Sequence, residues 1–125
     1  MINNSLHIGK WIYNVLNNNI QDLDIFPVIA TEGTECPYCV YWRTGIQASN
    51  TKDGWDGDTL TMSLNIYTKD YEEGLEKITT ARKILSYGGE YENMKIRNFR
   101  IIDGSEDFVN GIFIQSITFS VTITD

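Results

Sequence analysis

The segment that decides the fold is Cys-Pro-Tyr-Cys-Val-Tyr-Trp at residues 36–42. It has two interpretations, and each predicts a different protein. As chemistry, Cys36 and Cys39 form a dithiol pair with two residues between them. As structure, Pro37 stands at the first position of a run of aromatic and β-branched residues, a pattern typical of the start of a buried strand. The residues on either side of the segment show which interpretation fits better.

Dithiol chemistry needs the first cysteine at the N-terminus of a helix, where the helix dipole lowers the thiol pKa. The four residues 36–39 match the redox motif of the glutaredoxins, but residues 40–45 have a strand pattern without helical periodicity. The chain also has no proline after Pro37, whereas thioredoxin-type folds place a cis-proline loop downstream of the motif. The sequence favours the strand. A thiol-disulfide oxidoreductase using Cys36 and Cys39 is the alternative function.

Composition predicts one globular domain, residues 1–125. A chain of this length buries roughly two thirds of its unfolded surface and needs no metal or disulfide for stability. The net charge of -7 argues against non-specific affinity for DNA or anionic lipid. No secretory signal and no apolar run of membrane-spanning length is recognisable. We therefore expect no membrane association, and free cysteines in a reducing cytoplasm.

Two strands are predicted at residues 38–48 and 59–67. A turn-rich loop joins them, which predicts an antiparallel hairpin. In the second strand Leu60, Met62, Leu64 and Ile66 alternate with polar residues. An extended piece at 25–30 contains Pro27, which favours an edge or irregular strand. Two more strands are predicted at 94–102, with a bulge near Asn98, and at 112–124. The acidic residues 103–111 between them are expected to form a connection.

Two helices are predicted, at residues 5–17 and 70–87. Ser5 is the expected N-cap of the first, and Asp70 with Glu73 resembles a capping box for the second. The second helix has an apolar stripe formed by Tyr71, Leu75, Ile78, Ala81 and Leu85. The order α-β-β-β-α-β-β predicts an α+β two-layer sandwich, a mostly antiparallel sheet of four to five strands with both helices on one face.

Candidate sites other than the dithiol are weak. Zinc requires four ligands, and only Cys36, Cys39 and His7 are available. The acidic run 53–58 resembles a calcium loop, but strands flank it and the twelfth position is Leu64, not glutamate. There is no nucleophile elbow and no phosphate-binding glycine loop. We expect no catalytic residue, no metal and no cofactor.

The aromatic cluster Tyr38, Tyr41 and Trp42 leaves three interpretations open. Its rings could stack nucleic-acid bases, although Arg43 is the only basic residue interleaved with them. They could pack within the sheet or against a protein partner, which the acidic composition favours. A pocket lined by Tyr38 and Trp42 would instead indicate a module that binds a small ligand or peptide.

Taken along its whole length, the chain resembles the phage tail completion proteins, the tail-to-head joining or tail-terminator family. The likeness lies in the order of several segments along the chain. The matching segments are the amphipathic helix ending at Leu16, the loop 26–28, the strand opening 36–41, the step from residues 64–67 into the helix after Tyr71, and the last strand 113–123.

The resemblance implies a structural protein without catalytic activity, located in the virion neck or tail and in the host cytoplasm during assembly. It implies a ring-forming homo-oligomer, typically a hexamer, that contacts the tail tube protein and the head connector while DNA passes through the lumen without specific binding. The segments 51–58 and 105–111, taken as exposed loops, and the edge strands are the expected interfaces.

Overall fold

The two helices and six strands of the chain can be followed in a computed structural model, which describes residues 5–51 and 54–124 and the side chains of residues 5–48 and 57–124. After a 3-10 turn at Ser5–His7, the elements follow in this order: α1 Ile8–Asn19, β1 Asp24–Pro27, β2 Tyr38–Thr51, β3 Gly54–Thr68, α2 Tyr71–Ser86, β4 Gly89–Tyr91, β5 Met94–Val109 and β6 Ile112–Thr124. The fold is thus mixed α and β, as the sequence predicts.

The strands form one curled sheet in the order β1-β2-β3-β6-β5-β4. Only β1 and β2 are parallel, and all other neighbours are antiparallel. The predicted hairpin is confirmed, with Tyr38 paired to Tyr67, and β1 lies at the sheet edge and ends at Pro27 as expected. Pro27 is tolerated there because an edge strand leaves one side of its backbone unpaired.

The predicted strand count and order were wrong at β4, which adds a sixth strand between α2 and β5. This strand has three residues and pairs only with residues 94–96. Alternation of apolar and polar residues cannot identify so short an element. Its turn is formed by Glu92 and Asn93, both with positive φ, a backbone conformation that non-glycine residues seldom adopt.

The acidic connection predicted at residues 103–111 was also wrong. The strand β5 continues to Val109 and reaches β6 through a tight turn at Asn110 and Gly111, whose φ angles are 54° and 80°. Asn-Gly suits this turn because both residues adopt positive φ readily. Charged residues are compatible with this part of β5 because the strand edge that does not pair with β6 faces solvent.

Both helices cover the same face of the sheet. The four alternating residues of β3 predicted to be buried are 0–2% exposed. They join one apolar core with the buried residues of the helices: Ile8, Trp11, Ile12 and Leu16 of α1, and Ile78, Ala81 and Leu85 of α2. At the start of α2 the predicted stripe was wrong, since Tyr71 and Leu75 are each 38% exposed and Gly74 is buried instead.

The two predicted helix caps have different outcomes. Asp70 caps α2, accepting a hydrogen bond from the Glu73 amide at 3.0 Å. Ser5 does not cap α1, which begins after His7 without a side-chain cap. Ser5 is buried and donates its hydroxyl to the buried carboxylate of Asp58 on β3. This hydrogen bond therefore connects the 3-10 turn before α1 to β3 of the sheet.

Bulges interrupt the two long outer strands. The predicted bulge at Asn98 is confirmed, since the pairing with β6 shifts between Arg97 and Arg100 and Asn98 has a φ of 59°. In β2 the pairing shifts between Arg43 and Gly45. The central pair, β3 with β6, has no shift.

Candidate assembly surfaces

The structure places Cys36 just before β2 and Cys39 within it, opposite Ile66 of β3. Both thiols are free, and Cys39 is fully buried. Burial raises the pKa of Cys39 to about 12. Burial also raises the pKa of Cys36, against a smaller lowering by Lys69. A strand follows the pair instead of a helix, so the local field does not favour the thiolate that dithiol exchange requires.

His7 lies away from the cysteines. Its Nδ1 is 3.9 Å from a carboxylate oxygen of Glu92, in the turn between β4 and β5. Within residues 5–51 and 54–124, no three His, Cys, Asp or Glu side chains lie together as metal ligands would. The three candidate zinc ligands are therefore not brought to one place.

The described residues of the segment considered as a calcium loop, 54–58, form the beginning of β3. Asp53 lies outside the described residues, and so does the side chain of Asp56. Asp58 is 2% exposed and is bound by the Ser5 hydroxyl. The described part of this segment thus belongs to the β2–β3 hairpin. The carboxylate of Asp58 is buried there and serves as a hydrogen-bond acceptor.

The aromatic cluster divides between the two faces of the sheet. Tyr38 stacks on Tyr67 of β3 with ring centroids 4.5 Å apart, on the face without helices. Tyr41 is buried under α1, where a Cβ on Gly9 would lie 3.1 Å from its ring. Successive strand residues point to opposite faces, so the three rings do not form one stacking platform.

Trp42 lines a groove of about 780 Å³ at the point where β1 ends. We call it the β2 groove, and its wall includes the start of α1, the end of β1 and the middle of β2: Leu6, Lys10, Val28, Trp42, Arg43 and Met62. Tyr38, expected to line such a pocket together with Trp42, is not in the wall. Among the described residues the wall contains Lys10 and Arg43 and no acidic residue, although the chain as a whole carries -7.

The β2 groove runs beside an open strand edge. The strand β1 pairs with residues 38–41 of β2 only. Beyond Tyr41, the edge of β2 that faces away from β3 has no partner strand in the described part of the chain. Two side chains close to this edge, Leu6 and Val28, are apolar and 56% and 72% exposed.

A second open edge belongs to β5. The strand β4 pairs with residues 94–96 of β5, and beyond Ile96 the far edge has no partner among residues 5–51 and 54–124. We call residues 102–109 the β5 arm. The arm contains three acidic residues, Asp103, Glu106 and Asp107, and three exposed apolar ones, Ile102, Phe108 and Val109.

The β5 arm is anchored to the rest of the domain. Glu106 accepts hydrogen bonds from the Tyr71 hydroxyl at 3.0 Å and from the Gln115 amide at 2.9 Å. Phe108 packs on Phe113 with ring centroids 4.6 Å apart. Asp103 and Asp107 bond only to the backbone amide that follows each of them, which leaves their charges toward solvent. The arm therefore presents a fixed acidic and apolar edge.

On the sheet face without helices, short polar side chains form the middle of the sheet. On the two central strands these are Thr59, Thr61, Ser63, Asn65, Ser116, Thr118, Ser120 and Thr122. Hydrogen bonds link them across the strands, from Ser116 to Asn65 at 2.6 Å and between Ser63 and Thr118 at 3.0 Å. None of the eight carries a charge.

The predicted interfaces differ from the observed surfaces. Residues 105–111 were expected as a loop but lie in β5 and its turn, and most of the described residues of 51–58 belong to strands. Sequence reasoning missed the β2 groove because it depends on where β1 stops and on an exposed face of α1. Pro27 was the available signal, since a proline ends strand pairing. Asn110-Gly111 was the signal for the long β5 arm.

No helix of the described residues is long and apolar enough to span a bilayer. No family model matches the sequence, and no curated protein matches it. A chain of the virion of native gene transfer agent (GTA) particle has a similar structure, with a TM-score of 0.57 and 9% identity, covering 90% of this chain and 83% of that one. At this identity the similarity shows a shared fold.

Proposed function

We propose that this protein is a structural component of a phage or phage-like particle, and that it forms a ring of six copies at the tail-to-head junction. The observation that carries the proposal is the fold similarity to a chain of a gene transfer agent virion over nine tenths of this chain. The order of the segments that resemble the tail completion proteins supports the finer assignment to the junction. This assignment rests on analogy of fold and not on a chemical site.

The surfaces of the domain suit a role in assembly. Two sheet edges are open, on β2 and on β5, and an open edge is a template for pairing with another chain. The edges differ in sequence and surroundings, so contact between them would be heterologous, and contacts of that kind close into rings when the rotation permits. The partners would be further copies, the tail tube protein and the head connector.

The role needs no catalysis and no cofactor. The high pKa of Cys39 and the raised pKa of Cys36 argue against the alternative, a thiol-disulfide oxidoreductase. The net charge of -7 disfavours non-specific binding of phosphates, so DNA could pass such a ring without specific binding. In this proposal the protein resides in the virion, after assembly in the host cytoplasm.

The test combines oligomeric state with capping of tails. Light scattering after size-exclusion chromatography, with and without assembled tails, should detect a ring of several copies, and electron microscopy should place it at the tail end that meets the head. Particles assembled without the protein should contain unjoined heads and tails. A protein that stays monomeric at all concentrations and never binds tails would contradict the proposal.

A further inference from the structure

We infer that the β5 arm of one copy docks in the β2 groove of the next copy, so that a second copy of this chain is the occupant of the groove. The inference rests on the proposed ring and names the surfaces that would close it. Its first support is that the two surfaces are the two open edges of one sheet. In the strand order, β1 and β5 are separated by β2, β3 and β6, so the arm cannot reach the groove of its own chain without unfolding the sheet.

Charge gives the second support. The groove wall contains Lys10 and Arg43 without an acidic residue, whereas the β5 arm contains three acidic residues and no basic one. Glu92 lies outside the wall, with a carboxylate oxygen 3.9 Å from Nδ1 of the wall residue His7. In a chain of net charge -7, an interface between copies must overcome mutual repulsion, and the groove is a basic surface that can do so.

The third support is the placement of apolar side chains on the two sides. If β5 of one copy continued the sheet beside β2 of the next, alternation would place Phe108 on the helix side, where Leu6 and Lys10 line the groove. Glu106 would lie on the helix side as well, toward Lys10 and Arg43, whereas Asp107 and Val109 would lie on the opposite side with Trp42. Exposed aromatic and aliphatic groups would thus be removed from water on both partners, which is the main driving force of association.

The arm is also prepared for docking in the free chain. Its hydrogen bonds through Glu106 and the packing of Phe108 on Phe113 fix its position before a partner arrives. A preformed surface loses less conformational entropy on binding than a flexible one. Asp103 and Asp107 remain available, since each bonds only to a neighbouring amide.

Cysteine crosslinking tests the contact directly. In a Cys36→Ser background, the pair Val28→Cys and Phe108→Cys should form disulfides only between copies, because three strands separate β1 from β5 and two Cα atoms more than about 7 Å apart cannot be bridged. Both positions are well exposed, so the domain should still fold. We expect a ladder of covalent oligomers on a non-reducing gel, and no ladder from the control pair Lys83→Cys and Phe108→Cys.

Charge exchange gives a second readout. The variant Lys10→Glu/Arg43→Glu changes the net charge from -7 by -4, to -11, and Glu106→Arg/Asp107→Arg changes it by +4, to -3. Each should lower the oligomer fraction at least tenfold at fixed concentration. The combined four-residue variant returns to -7 and should recover assembly. The matched control Arg82→Glu/Lys83→Glu, also at -11 but on α2, should assemble normally.

The outcomes separate the inference from the function on which it rests. Rings that form in the wild type without groove-to-arm crosslinks, or that survive both charge reversals, overturn the inference and leave the ring in place. A wild-type chain that stays monomeric with and without tails overturns the proposed ring, and the inference with it. A ladder together with rescue by the combined variant supports both.

Discussion

Gly74 of α2 lies directly against Thr68 at the end of β3, so closely that a Cβ on the glycine would be 2.7 Å from the threonine hydroxyl oxygen. Thr68 is fully buried, and its hydroxyl donates to the Asp70 carbonyl at 2.7 Å. The glycine therefore sets how closely the first turn of α2 approaches the sheet.

Gly74→Ala should destabilise the domain. Alanine favours a helix over glycine by about 1 kcal/mol, but the overlap with Thr68 forces a shift of packed groups that costs roughly 1–3 kcal/mol. Urea denaturation should show a net loss of about 1 kcal/mol in the free energy of unfolding. Gly45→Ala, where no atom lies within 4 Å of the added Cβ, is the control and should change stability by less than about 0.5 kcal/mol. An unchanged midpoint in both variants would contradict the close approach.

Asp70→Ala should remove the cap of α2. The carboxylate accepts the Glu73 amide at 3.0 Å, and loss of such a cap costs about 1 kcal/mol. Thermal or urea unfolding measures the effect. Glu76→Ala, at an exposed position in the same helix, removes one negative charge without a cap and should be nearly neutral. Equal losses in the two variants would mean that charge, not capping, is responsible.

Cysteine labelling should distinguish the two thiols. With a pKa of about 12, Cys39 has about one thiolate in ten thousand at pH 8, and its sulfur is buried. Iodoacetamide should therefore modify Cys36 slowly and Cys39 only after unfolding, as measured by mass spectrometry of the native protein and of a urea-treated control. Rapid native labelling of Cys36 at neutral pH would revive the oxidoreductase alternative.

Stability should fall as the pH rises above about 9. The folded state raises the Cys39 pKa from 9.0 to about 12, so between these values the unfolded chain has lost a proton that the folded chain keeps. The contribution is fully present below pH 9 and is lost as the pH rises toward 12, by at most about 1.4 kcal/mol per pH unit. Tyr38 and Tyr41 shift in the same direction and add to the loss.

A Cys39→Ala variant isolates the cysteine term of this pH dependence. The substitution lowers stability at all pH values by creating a small cavity, but its curve of unfolding free energy against pH should decline less steeply above pH 9 than that of the wild type. Cys36→Ser serves as the comparison, because its thiol is less buried. Parallel curves for the wild type and Cys39→Ala would refute the burial-driven shift.

The sequence determines the central part of this fold well. Residues 38–48 and 59–67 have strong alternation, and the predicted hairpin and buried face of β3 are both confirmed. The Asp70 cap was equally readable because capping is local chemistry. Such features depend on neighbouring residues along the chain, where periodicity and capping rules apply directly.

The errors concern features that depend on distant residues. The strand β4 exists only because β5 lies beside it, and the acidic part of β5 is a strand because β6 supplies hydrogen bonds on one side. The burial of Gly74 in the predicted apolar stripe depends on its contact with Thr68 of β3. The β2 groove combines α1, β1 and β2, so its basic wall could not be read from any one segment. The ring itself stays a proposal.

The bulges limit how other chains can pair with the two open strand edges. Residues inserted at Thr44 in β2 and near Asn98 and Ile102 in β5 interrupt the two strands whose edges are open. A bulge bends its strand and disturbs the regular spacing of backbone donors and acceptors, so an arbitrary extended peptide cannot pair along the whole edge. The open edges are thereby protected against amyloid-like stacking. Deleting Thr44 should straighten β2 and remove this protection, so that the domain associates with itself faster and less specifically.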